Sequence, residues 1–194
     1  MEKKEYKKSV ETREKLLKAL ISLVNEKGYG NVSVRDICAR ANISSGSFYY
    51  HFGSKEALVM EAYFRLDRLL TDDMVKKYDE LQPMEAINEL MEMQINFVET
   101  EIKDLIKDYY RVLLEGGDIS AFSKERIYYS VIKKQASRIL ELNMVKNNMS
   151  SEELTDYLLR FLRGLIMDWA INNFRYSLID QYKDDYKIMI NGLL

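Results

Sequence analysis

The sequence predicts an all-α protein, with three short helices near the N-terminus and a larger helical domain behind them. Apolar residues recur at helical spacing along most of the chain, and no convincing run alternates with a period of two. Four of the eight glycines lie between Gly28 and Gly53, so the first quarter of the chain must turn often. We therefore expect about nine helices in all, with residues 1–54 and residues 55–194 forming separate domains.

Capping residues indicate where the helices begin and end. A first helix is expected over Ser9–Lys27, and Ser33 with Asp36 has the spacing of a capping box for the second. Pro83 suits the first turn of a later helix, because that position needs no backbone N–H donor. The other helices are expected over 45–52, 54–81, 84–114 with Thr100 as a candidate break, 123–146, 150–172 and 177 to the C-terminus.

The composition is that of an ordinary folded protein, with 47% hydrophobic and 31% charged residues among 194. No stretch is long and apolar enough for a transmembrane helix, and the mixed-charge start lacks the apolar core of a secretory signal. The single cysteine, Cys38, cannot form an internal disulfide, which fits a reducing compartment. We therefore expect the protein in the cytoplasm.

Charge is divided unevenly along the chain. Residues 1–60 hold 11 Lys and Arg against 7 Asp and Glu, whereas the remainder holds 18 against 24. A basic N-terminal segment on an acidic body suits a protein whose first domain alone contacts nucleic acid. The excess is modest, so a solvated surface explains it equally well.

Residues 28–58 carry the motif on which the functional interpretation depends. The segment contains Gly28-Tyr29-Gly30, Ser33-Val34-Arg35-Asp36-Ile37, Ala41-Asn42-Ile43-Ser44-Ser45-Gly46-Ser47-Phe48-Tyr49-Tyr50-His51-Phe52 and Ser54-Lys55-Glu56-Ala57-Leu58. Three short helices with a tight turn between the second and third are typical of a helix-turn-helix. The segment closely resembles the N-terminal signature of the TetR family of bacterial transcriptional regulators. The remainder of the chain resembles that family only in length and helix count.

The chemistry of the third helix fits contact with DNA. Hydroxyl groups at its start add to free helix amides that already favour anions, and Gly46 allows close approach of the backbone. Phe48 and Phe52, four residues apart, are expected to anchor the helix in the core. The resemblance implies that Arg35 and Ser47 reach base edges. It further implies phosphate contact by Tyr49, Tyr50, His51 and Lys55, and DNA contact by Ser33, Ser44, Ser45 and Gly46.

Each of these assignments has a plainer alternative. Tyr49 and Tyr50 could pack in a small aromatic core, His51 could be a structural histidine, and Arg35 could be a solvated surface charge. Lys55 lies at a helix N-terminus, where a cation is mildly unfavourable unless an anion also binds there. A bound phosphate would make its position favourable.

The last two helices are expected to form a homodimer interface. Their apolar residues fall in two adjacent rows, and a helix that is apolar on two sides is buried on two sides. A partner subunit could cover one of these sides, or both could be intrachain core. The candidate dimer residues are Leu158, Phe161, Leu165, Trp169, Tyr182 and Met189.

The middle helices are candidates for a small-molecule effector site, because methionine and aromatic side chains line apolar pockets as well as ordinary cores. The candidate ligand residues are Met91, Met93, Phe97, Tyr109, Tyr110 and Tyr128. Arg111 and Asp168 lie within or beside apolar stretches, where each could be a buried pair member or a specificity contact.

The sequence therefore favours a dimeric regulator that binds a palindromic double-stranded DNA operator and leaves it when a small, largely apolar molecule binds. An alternative keeps the DNA-binding head but assigns the larger domain to docking a protein partner. An enzyme is disfavoured, because no phosphate loop, dinucleotide-binding glycine pattern or nucleophile elbow is present. With one histidine and one cysteine, a metal site of the His/Cys type is excluded, and we expect no cofactor.

Overall fold

The computed structural model describes residues 2–116, 119–146 and 148–193. These ranges contain ten α-helices and three short 3₁₀ turns, and they contain no strand, so the all-helical prediction is confirmed. The helices are α1 (Glu2–Lys27), α2 (Val34–Ala41), α3 (Ser45–Phe52), α4 (Lys55–Leu69), α5 (Asp72–Glu80), α6 (Pro83–Glu101), α7 (Ile106–Leu114), α8 (Ile127–Glu141), α9 (Ser151–Ile171) and α10 (Leu178–Leu193).

The chain divides into two compact units, with a boundary inside α4. Unit 1 comprises Met1–Arg65 and Ile102–Ala121, and unit 2 comprises Leu66–Glu101 and Phe122–Leu194. Unit 1 therefore contains α7 as well as the three N-terminal helices. The domain boundary expected after residue 54 stays a prediction.

Unit 1 is built around the apolar face of α1. Leu16, Leu17 and Leu20 are completely buried, together with Ile37 of α2 and Phe48 of α3. Burying a large apolar side chain contributes about 1.5–3 kcal/mol, so a few such residues are enough to fix the two short helices α2 and α3 against the long helix α1. The anchoring role expected for the phenylalanines of α3 is thereby confirmed.

Tight turns separate the short helices. Gly28 ends α1 with a φ of 75°, and Gly53 ends α3 with a φ of 68°, both in the region that glycine adopts without strain. Asn42, with a φ of 53°, follows α2 and donates its backbone N–H to Ala39. This left-handed residue produces the turn of the helix-turn-helix within a few residues.

The long helix expected over 54–81 is wrong, because two helices occupy that range. The α4 helix ends at Leu69, and the hydroxyl of Thr71 accepts the backbone N–H of Met74 to start α5. Thr71 is extended, with a ψ of 160°, so it caps the new helix and cannot continue the old one. This break explains why the structure has one helix more than the sequence indicated.

Unit 2 packs α6, α8, α9 and α10 around a common core. Its most deeply buried residues include Ile87, Leu90, Ile132, Leu162 and Trp169. The break expected near Thr100 is confirmed, because α6 ends at Glu101 and a 3₁₀ turn leads into α7. Among the described helices, none has the length and apolar character needed to cross a membrane.

Two helices of unit 2 receive their N-terminal caps from distant carboxylates. Glu99 on α6 accepts the backbone N–H groups of Leu178 and Ile179 at 2.9 and 3.2 Å, at the start of α10. Asp67 accepts the N–H of Tyr128 at 2.9 Å, at the start of α8. The start of α8 at Ile127 lies four residues later than the sequence indicated, because this cap comes from another helix.

Candidate functional site

The third helix presents one polar, aromatic face to solvent. Tyr50 is 85% exposed and Tyr49 is 55% exposed, whereas Phe48, the residue before them, is buried. The hydroxyl of Ser44 accepts the N–H of Ser47 at 3.2 Å and caps the helix. Large aromatic side chains seldom lie so open on a helix with a buried opposite face, so this face is a candidate binding surface.

The start of α2 is held in a fixed shape beside it. Ser33 and Asp36 form the expected capping box, with Asp36 N to Ser33 Oγ at 3.1 Å and Ser33 N to Asp36 Oδ2 at 2.9 Å. Hydrogen bonds from Ser33, with a further one from Lys27, hold the pKa of the Asp36 carboxyl well below its usual range. Arg35, in the same turn, is exposed.

The start of α4 is bonded to the loop that precedes α2. The ammonium of Lys55 donates to the carbonyl of Tyr29 at 3.1 Å and to that of Val32 at 2.8 Å. The same nitrogen lies 3.9 Å from the centroid of the Tyr29 ring. Lys55 thus fixes the entry to α2, and its third N–H remains available for another acceptor.

The end of α3 is anchored by one arginine. Arg13 of α1 pairs with Glu61 of α4 at 2.6 Å and donates to the backbone carbonyl of His51 at 3.2 Å. The carboxyl of Glu61 is nearly buried, so a charge-assisted contact is needed to keep it there. Burial, followed by the nearby charge of Arg13, lowers the pKa of His51.

All ten DNA-binding candidates lie in unit 1, on the start of α2, on α3 and its cap, or at the start of α4. Seven are exposed: Ser33, Arg35, Ser44, Ser45, Gly46, Tyr49 and Tyr50. Ser47, His51 and Lys55 are partly exposed. The structure brings these residues into one unit, and their contact with DNA stays a prediction.

The ligand candidates are distributed over both units. Met91, Phe97 and Tyr128 are buried in unit 2, where Met93 is half-buried. The hydroxyl of Tyr128 donates to the carbonyl of Leu90 at 3.0 Å. Tyr109 and Tyr110 are buried in unit 1. Their roles in a ligand site stay predictions.

Most of the dimer candidates are buried within a single chain. Leu158, Leu165, Trp169, Tyr182 and Met189 are all buried, and only Phe161 is half-buried. Their dimer roles stay predictions, although packing inside the protomer accounts for most of them. The large apolar residues that are exposed on α9 and α10 are not among these candidates. They are Tyr157, Ile171 and Ile188.

A groove of about 550 Å³ lies on the outer surface of α9 and α10. Gly164 forms part of it, and the hydroxyl of Tyr176 donates to Asp168 at 2.7 Å beside it. Asp168 is therefore an exposed acceptor and not a member of a buried ion pair. The lining residues are Arg160, Phe161, Gly164, Leu165, Asp168, Tyr176, Gln181 and Asp185.

Sequence reasoning missed Asp67 and Gln94. Asp67 accepts from Arg126 Nε at 2.8 Å, in addition to its bond with the start of α8. The carbonyl Oε1 of Gln94 is buried on α6 and receives no hydrogen bond from any described residue. The sequence does contain a sign of Gln94. This amide lies three residues after Met91 and four before Val98, where helical spacing predicts an apolar residue.

No group of three or more His, Cys, Asp or Glu side chains in the described ranges is arranged to hold a metal ion.

The comparisons with known proteins agree on one family. Residues 16–62 match the model of bacterial regulatory proteins of the tetR family. The transposon Tn10 TetC protein of Escherichia coli is 23% identical over 183 residues, which cover 94% of this chain and 90% of that protein. IcaR of Staphylococcus aureus, the negative transcriptional regulator of the biofilm operon icaADBC, is 21% identical over 188 residues, which cover 94% of this chain and 96% of IcaR.

Solved structures share the fold over nearly the full length. FadR of Thermus thermophilus, a transcriptional repressor in complex with lauroyl-CoA, superposes with a TM-score of 0.67 at 17% identity, covering 94% of this chain and 95% of that one. FadR of Bacillus subtilis, in complex with stearoyl-CoA, gives a TM-score of 0.66 at 13% identity, covering 93% and 98%. IcaR and the two FadR proteins are transcriptional regulators, and no enzyme family is indicated.

His51 provides a direct test of the electrostatics at the end of α3. Because it is the only histidine, its ring protons can be followed by NMR in tag-free protein without assignment. We expect a pKa below the ordinary value of 6.5. Its contribution to stability is then present above that value and is lost as the pH falls through the lowered pKa. Arg13→Gln should raise the pKa, whereas Lys18→Gln, an exposed change on the same helix, should leave it unchanged. An unshifted His51 in the wild-type protein would contradict this description.

Proposed function

The chain belongs to the TetR family of bacterial transcriptional regulators, and on that premise we propose that it is a dimeric repressor released from DNA by an effector. The proposed target is a palindromic DNA operator, read by α2 and α3. The proposed effector is a small, largely apolar molecule that binds the C-terminal domain. A cytoplasmic location follows from this role.

The exposed face of α3 is the observation that carries the proposal. Two tyrosines and a capped helix N-terminus lie open on this face, and its opposite side is fixed in a core. Hydroxyl groups and helix amides suit phosphate contacts, which fix the register of a protein on the duplex. Arg35 is exposed in the first turn of α2 and is the group best suited to bidentate contact with guanine.

Substitutions should separate reading of bases from binding of phosphates. Arg35→Ala should relax discrimination at particular operator positions by about 1–3 kcal/mol. Tyr50→Ala should weaken binding to every duplex by a similar factor, because a phosphate contact carries no sequence information. Each variant is titrated against a library of operator variants, obtained by selecting a palindrome from random duplexes. Glu11→Ala, an exposed change on α1, serves as the control. An unchanged ranking of sites with Arg35→Ala would show that Arg35 does not read bases.

Dimerisation follows from the small size of the helix-turn-helix domain. Two such domains, spaced about one turn of the DNA helix apart, bind a palindrome far better than one domain does. We propose that the outer face of α9 and α10 supplies the interface. Ile171 and Ile188 are 69% and 72% exposed on these helices, and Gly164 leaves space for close approach of another helix. A second copy of the chain packed on this face by two-fold symmetry would remove these two side chains from water.

A charge on this face should separate the subunits. Ile188→Glu should turn a dimer into a folded monomer in sedimentation velocity runs, because an unpaired carboxylate cannot be buried at an interface. Leu142→Glu introduces the same charge at a position that is 58% exposed at the end of α8 and should leave the dimer intact. A dimeric Ile188→Glu protein would exclude this face as the interface.

The effector proposal is supported by the interior of unit 2. Unit 2 contains buried methionine and aromatic side chains, and the buried amide carbonyl of Gln94 receives no hydrogen bond from any described residue, so a bound molecule with an N–H or O–H group could donate to it. Two structural neighbours hold long-chain acyl-CoA molecules, which are largely apolar along the acyl chain.

Asp67 offers a route from this interior to α4. It bonds the end of α4 to Arg126 and to the backbone of Tyr128, and Tyr128 is one of the ligand candidates. An effector that moved Tyr128 would therefore shift the end of α4, whose first residue is Lys55. The helix has 15 residues and is about 22 Å long at 1.5 Å per residue, so a tilt at one end moves the other appreciably.

Ligand and operator should then weaken each other equally, because allosteric coupling is reciprocal. A thermal-shift screen of apolar small molecules, including lauroyl-CoA and stearoyl-CoA with coenzyme A as control, would supply the ligand. We expect its dissociation constant to rise about 5- to 150-fold in saturating operator. Equal constants with and without operator would rule out release by this ligand, even if both bind tightly.

A further inference from the structure

Tyr29 lies at the meeting point of three segments of unit 1. It is buried in the 3₁₀ turn between α1 and α2, and its hydroxyl donates to Glu56 Oε1 of α4 at 3.2 Å. Lys55 of α4 and Arg111 of α7 both contact its ring, with the ammonium 3.9 Å and the guanidinium carbon 4.9 Å from the ring centroid. One aromatic ring thus connects the loop before α2 to both α4 and α7.

The charges around this ring are balanced locally. Arg111 pairs with Asp108 at 3.1 Å and with Glu115 at 3.6 Å, both on its own helix. Lys55 gives two of its three N–H groups to the carbonyls of Tyr29 and Val32. Cations are attracted to the faces of aromatic rings, and the attraction grows with burial. The cluster is therefore a specific set of contacts that α7 completes.

A second aromatic contact joins the same helices. The rings of Tyr63 on α4 and Tyr109 on α7 stack with centroids 4.0 Å apart and planes 17° apart. The position of α7 is therefore fixed relative to α4 at two places, and one of them is the cluster that holds Lys55. A displacement of α7 would change both contacts at once.

We propose that Arg111 is a positioning residue for DNA binding, acting through the Tyr29 ring and Lys55 on the start of α2. This inference rests on the proposed function and adds a regulatory contact to it. Arg111 lies 49 residues beyond the segment that matches the family model. Within this cluster Lys55 is the candidate for phosphate contact, and it also anchors the Val32 carbonyl that precedes Ser33. A change in the position of α7 then alters binding without any contact between α7 and DNA.

The salt dependence of binding distinguishes positioning from phosphate contact. We expect Arg111→Ala to weaken binding to the selected palindrome about 3- to 10-fold, a typical size for one lost positioning contact. Its plot of log affinity against log salt should keep the wild-type slope, because no phosphate contact is lost. Lys55→Met should reduce that slope by about two per dimer, since each subunit would lose one phosphate contact. Arg111→Lys retains the cation and should restore most of the affinity.

Matched controls exclude a general effect on α7 or on stability. Leu114→Ala changes an exposed side chain on the same helix and should bind as the wild type does. In the double variant Arg111→Ala with Lys55→Met, the loss should be smaller than the product of the two single losses, because both act through one ring. All titrations are made at a temperature where circular dichroism shows full helicity.

The proposal is overturned if Arg111→Ala binds like the wild type, if it lowers the salt slope as Lys55→Met does, or if Arg111→Lys fails to restore binding. A double variant whose loss of affinity equals the product of the two single losses would overturn it as well. If the wild-type protein bound no duplex at all, the proposed function itself would fail, and the positioning role would fail with it.

Discussion

The organisation of this chain depends on one requirement, that the first backbone N–H groups of each helix find acceptors. An α-helix leaves four such donors without an internal partner, and burying them unpaired is costly. Ser33, Ser44 and Ser150 satisfy the donors of their own helices from the adjacent position. At α8 and α10, Asp67 and Glu99 from other helices accept the first N–H groups, and at α10 the hydroxyl of Ser177 adds a local cap on Asp180 N. The second kind of cap fixes where helices begin and also which helices must pack together.

This distinction explains how much of the fold could be predicted from the sequence. The capping boxes at Ser33 and Ser150 depend on residues three positions apart, so a reader of the sequence can find them. The later start of α8 depends on Asp67, 61 positions before Tyr128, and no local pattern reveals it. The break after Leu69 was missed for another reason, because Thr71 has Met74 at the third helical position, where a capping box would have Glu or Gln.

The candidate site shows the same limit. The buried face of α3 follows from the four-residue spacing of Phe48 and Phe52, which the sequence displays directly. The contact of Arg111 with Tyr29 joins residues 82 positions apart and could not be inferred. On α9, two apolar rows were visible, but periodicity alone could not indicate that Leu158 and Leu165 face the protomer core while Ile171 faces outward.

The unit boundary inside α4 has a consequence for the cooperativity of unfolding. Lys55 begins the helix in unit 1, and Asp67 lies in its last turn in unit 2, where it caps α8. Neither unit can lose its structure without fraying a helix that the other also uses. Local opening free energies in the two units are therefore linked through one backbone, because opening of either unit removes the contacts that hold its own part of α4.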